Sequence, residues 1–82
     1  MPYIVQEMRP YLDEVVMNME KQGVRPDGRL NYVLFSLCQR TVEPSYVNYK
    51  NFIGELNECV AEIRRRFLAP YEDEKKRING DV

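Results

Sequence analysis

No histidine occurs among the 82 residues of this chain. That removes the side chain most used for acid–base chemistry near neutral pH and the commonest transition-metal ligand. A Cys–His nucleophile and a Cys/His zinc site are both excluded. Cysteine is scarce too: Cys38 and Cys59 make no disulfide framework. Both sit in apolar segments, so the expectation is a pair of buried, reduced thiols in a cytoplasmic protein. No apolar run approaches the roughly 20 residues a membrane-spanning helix requires. Met1-Pro2-Tyr3-Ile4 has neither the basic start nor the apolar stretch of a secretory signal. Charge of one sign is also missing. Twelve Lys and Arg against 13 Asp and Glu leave a net charge of −1, which argues against a dedicated nucleic-acid binder. The leading expectation is a protein that holds no cofactor and no metal.

What the chain does have is one long periodic stretch, Ser45 to Leu68. Tyr46, Tyr49, Ile53, Leu56, Val60, Ile63 and Phe67 are spaced alternately three and four residues apart, which lays one apolar seam along an α-helix. At 1.5 Å per residue this helix spans roughly 35 Å, the width of a small domain. Val47, Gly54, Ala61 and Leu68 form a second stripe of mostly small residues, with Gly54 open to close backbone approach. Asn57 lies beside the seam, where a polar residue can set register. Ser45 is placed as the N-cap, with Asn48 at the third helical position.

The other elements are shorter. Ile4, Met8, Leu12, Val15, Val16 and Met19 recur at helical spacing, so Gln6–Gln22 reads as a helix whose regular part begins near Arg9, because Pro10 is tolerated only in a first turn. Gly23 supplies a left-handed stop and Val24 closes a Schellman-type cap. Arg25-Pro26-Asp27-Gly28 reads as a turn. A second helix follows over about Leu30–Arg40, with Asn31 as candidate N-cap and Leu30 and Phe35 as a hydrophobic staple. Its sequence is apolar nearly all round, which predicts burial on more than one side, and a buried strand is the rival reading. Pro70 ends or kinks the long helix, and Tyr71–Ile78 fits a short helix with acids first and bases last.

Glu62-Ile63-Arg64-Arg65-Arg66, Ala69-Pro70-Tyr71-Glu72-Asp73 and Asn79-Gly80-Asp81-Val82 together resemble a family of small uncharacterised bacterial and phage helical proteins. Residues 1–4, Leu30-Asn31-Tyr32-Val33, Ile53-Gly54 and Glu58-Cys59 extend the likeness over most of the chain. That family usually carries an aromatic residue where Arg64 stands and an apolar one where Lys76 stands. The resemblance implies a helical protein in a bacterial or phage setting and brings no activity with it.

Two constellations carry candidate chemistry. Arg64–Arg66 with Lys75 is the dense basic cluster. Arg65 and Arg66, with Tyr71 and Lys75 folded back by a turn at Pro70, would hold one phosphate or carboxylate. The plainer reading pairs these arginines with Glu62, Glu72 and Asp73. Glu55, Glu58 and Glu62 share a helix face, as the acids of Mg²⁺-dependent nucleotide hydrolases do, but magnesium needs carboxylates converging from a second element. A solvated acidic face is the plainer reading.

The expectation is therefore a single all-α domain over residues 1–82. It is a small bundle of three main helices plus a short C-terminal one, with the helix at about 45–68 central. Its expected role is a non-enzymatic interaction or accessory protein that forms a homodimer, with Tyr49, Ile53, Leu56, Val60, Ile63 and Phe67 as the seam and an unidentified protein as further partner. Anionic-ligand or nucleotide sequestration and magnesium-dependent hydrolysis are the alternatives.

Overall fold

The computed structural model describes residues 4–81; most of the Met1–Ile4 motif and Val82 lie outside them. Every regular element among the described residues is helical and none is a strand. They fall into two units, one running to Tyr49 and the other from Lys50 onward.

In the first unit a 3₁₀ turn, Gln6–Met8, leads into α1, Arg9–Lys21. Pro10 sits in the first turn, where its missing N–H breaks no helical bond. The far end of α1 closes as a Schellman motif. Gly23 takes φ +80°, its N–H donates to the Glu20 carbonyl at 3.0 Å, and the Val24 N–H donates to Met19 at 3.0 Å. Met19 and Val24, the apolar pair of that motif, are both half-buried.

α2 spans Gly28–Thr41 and starts earlier than expected. Asp27, not Asn31, is its N-cap: the Arg29 backbone N–H donates to the Asp27 carboxylate at 2.8 Å. The proposed staple of Leu30 and Phe35 goes with the Asn31 cap, and Phe35 is exposed. The strand reading of this segment gives way to helix. α2 ends as the Thr41 hydroxyl donates to the Leu37 carbonyl at 2.7 Å and Val42 turns extended.

α3, Tyr46–Ile63, begins at Ser45 as expected. The Asn48 N–H donates to Ser45 Oγ at 3.0 Å, and the Asn48 side-chain amide reaches back to the Glu43 carbonyl at 3.0 Å. Two donors are thereby tied at the helix entry.

The second unit carries the rest of α3. The chain then runs without a break through a π-helical segment, Arg64–Leu68, into α4, Ala69–Asn79. Ile63, Leu68 and Ala69 all keep right-handed helical angles. Pro70 therefore starts no separate element, and Ala69–Asn79 continues the same helical run. Gly80 stops it at φ +84°.

None of the described residues is buried. Several expectations change for that reason. α2 is not enclosed on two sides: Val33, Leu34 and Cys38 are half-buried, while Tyr32 and Phe35 stand exposed. Cys59 is exposed and Cys38 only half-covered, because an apolar neighbourhood in sequence covers a side chain only when another element packs onto it. Among the described residues outside its own helix turn, a methyl group added at Gly54 would meet nothing within 4 Å, so none of them approaches that glycine closely.

Candidate functional site

The apolar face of α3 follows the 3–4 spacing read from sequence. Ile53 is 56% exposed, Val60 49% and Ile63 48%, with Leu56 half-buried between them and Tyr49 at the edge of the preceding unit. These aliphatic side chains line one side of a single helix and remain half in solvent.

The π segment changes how that face continues. Pro70 has no N–H to give the carbonyl four residues back, and in a regular α-helix its ring would press on that carbonyl, here Arg66. A π turn closes five residues on rather than four; the Ala69 N–H accordingly donates to the Arg64 carbonyl. One extra residue is taken up, so the position after Ile63 on the apolar face falls to Leu68, where the seven-residue spacing would have put Phe67. Phe67 is 67% exposed and Leu68 41%. Beyond it, the same face runs through Tyr71 and Lys75, with Lys75 Nζ 5.6 Å from the Tyr71 ring centroid, within cation–π range. Those two line a shallow concavity together with Glu72, Lys76, Asn79 and Gly80.

The basic cluster is divided between two places. Arg65 forks onto Glu62, its Nη2 donating at 2.7 and 2.9 Å to the two carboxylate oxygens, and Arg66 approaches the same carboxylate at 3.9 Å. Glu62, only 21% exposed at its side chain, is thus the hub of the arginines. Arg65 and Lys75 are ten residues apart on one uninterrupted helical run, about 15 Å along its axis. Arg65 and Arg66 are brought together, as are Tyr71 and Lys75, but no reversal at Pro70 joins the two pairs. Arg64 precedes them in the π segment.

Further ion pairs lie outside this cluster, Lys76 with Asp81 at 3.9 Å and two arginine forks among them. Arg29 holds Asp27 in a fork of 2.7 and 3.1 Å contacts, and Arg77 holds Glu74 at 2.7 and 3.1 Å. In each the arginine hydrogen bond pulls the carboxyl below its ordinary value, with the Arg29 backbone N–H adding to the effect at Asp27. The three-residue spacing of Glu74 and Arg77 was the available signal.

Glu55, Glu58 and Glu62 all lie on α3. Among the described residues no group of three or more Asp, Glu, Cys or His side chains is placed to hold a metal ion. Among the same residues no helix is long and apolar enough to cross a membrane.

No curated protein and no solved structure matches the chain. A family model does, over residues 1–82. On that match the chain belongs to the family described as a domain of unknown function (DUF6899).

Proposed function

We propose that this protein is a non-enzymatic helical interaction module that pairs with a second copy of itself through the apolar face of α3. The observation that carries the reading is the half-exposure of Ile53, Val60, Ile63 and Leu68 on one face of one helical run. A 3–4 apolar spacing is the pattern by which one helix packs along another. A second copy offers the matching face at equal concentration. The bundle expected of these helices would then be completed by two chains rather than one.

The magnitudes are consistent with a reversible pair. Full burial of an aliphatic side chain gains about 1.5–3 kcal/mol. Covering the exposed half of Ile53, Val60, Ile63 and Leu68 gains roughly 3–6 kcal/mol per chain on that scale. Two chains together then offset a rigid-body association cost of about 4–15 kcal/mol. Little surplus remains, so concentration should govern the folded population.

Thermal melts followed by circular dichroism over a hundredfold dilution test this. Self-pairing requires the melting temperature to fall on dilution. A melting temperature independent of concentration would overturn it.

A further inference from the structure

The spacing of the α3 face reads the same in either direction, so it admits an antiparallel pair, provided the pairing proposed above holds. About residue 58 the face reads Ile53, Leu56, then Val60, Ile63, the same spacing in both directions with aliphatic residues of like size at matching places. A twofold axis perpendicular to the helix at that point sets Ile53 of one copy against Ile63 of the other, and Leu56 against Val60.

We infer that two copies pair antiparallel about this axis, with Cys59 of each chain lying beside Cys59 of the other. Two observations favour this orientation over a parallel one. The first is charge. A parallel pair in register brings the two Arg64–Arg66 clusters to the same level at one end of the pair. An antiparallel pair separates the two clusters to opposite ends and sets each beside a stretch, Lys50–Phe52, that carries a single cation. The remaining like contact, Lys50 with Arg64 of the second copy, is at the rim, where salt screens it.

The second is the edge of the seam. In an antiparallel pair each edge of the seam meets the same edge of the mate, so residues flanking the axis meet their own counterparts. Asn57 lies on one edge and Cys59 on the other. Two Asn57 amides can donate to and accept from each other there, and the exposed Cys59 thiols stand side by side. In a parallel pair Cys59 instead faces Arg64 of the mate and the two thiols are on opposite edges.

The test uses the full chain and a short bis-maleimide, with molar mass measured by light scattering on the same samples and helicity checked for each variant. Antiparallel pairing predicts a covalent dimer in wild type and in Cys38→Ser, absent in Cys59→Ser, its yield holding constant over dilutions at which the mass stays dimeric. A dimeric mass without a Cys59-dependent link overturns the orientation and leaves the pairing standing. A monomeric mass, about that of one chain, overturns both.

Discussion

Asp27 does two jobs at one position, capping α2 through the Arg29 N–H and pairing with the Arg29 guanidinium. Both interactions need the ionised carboxylate, and both lower its pKa in the folded chain. A depressed folded value means that the unfolded chain binds more protons on the acid side. The stabilisation is therefore complete above the ordinary carboxyl value, about 3.9 for aspartate, and is lost as pH falls through the lower folded value. Glu74, held by Arg77, behaves in the same sense. NMR titration should find both carboxyls below their ordinary values, and Arg29→Ala should return Asp27 toward normal while leaving Glu74 alone.

Glu62 and its two arginines separate the structural from the ligand-binding reading. Arg65→Ala is expected to lower stability by about 0.2–1 kcal/mol, the range for exposed pairs. A double-mutant cycle with Glu62→Ala should return a coupling near 0.2–0.5 kcal/mol. Millimolar nucleotide should leave the wild-type melting temperature where it was. A site at a hundred times its dissociation constant would instead raise stability by about 2.7 kcal/mol, and that rise disappearing in Arg65→Ala would establish the anion site.

At the scale of the element, the ends of the helices were legible and their interiors less so. Gly23-Val24 and Ser45 with Asn48 announce their caps because each role needs one residue type at one offset. Asp27 reads from sequence as part of a turn, since Asp-Gly serves a turn and a helix start equally well. Pro70 was legible as a disturbance, but sequence does not say whether a helix breaks there or widens. Here it widens, and the register of the apolar face shifts from Phe67 to Leu68. Pro70→Ala should relieve that widening and raise helix stability by up to about 3 kcal/mol. The same change should return Phe67 to the face and weaken self-pairing. Helicity rising while association falls would separate the two effects; a rise in both would show that Leu68 has no part in the interface. Gly54→Ala meets no neighbour among the described residues and should add about 0.5–1 kcal/mol. A loss there would place a second chain against that glycine.

At the scale of the whole molecule, an all-helical chain was readable from periodicity, while burial was not. Apolar residues around α2 and along α3 state that a covering surface is wanted, and nothing in their order says which chain supplies it. The apolar pattern therefore reads Cys59 and Phe35 as interior, and both stand exposed. Membership of the DUF6899 family leaves the role to be settled by association behaviour. Sedimentation equilibrium of the wild-type chain at tens of micromolar, beside Val60→Glu, is the direct measurement. Self-pairing through α3 predicts twice the 9.8 kDa chain mass for wild type and the single-chain mass for Val60→Glu. A wild-type mass of one chain, or an undiminished dimer in Val60→Glu, would contradict it.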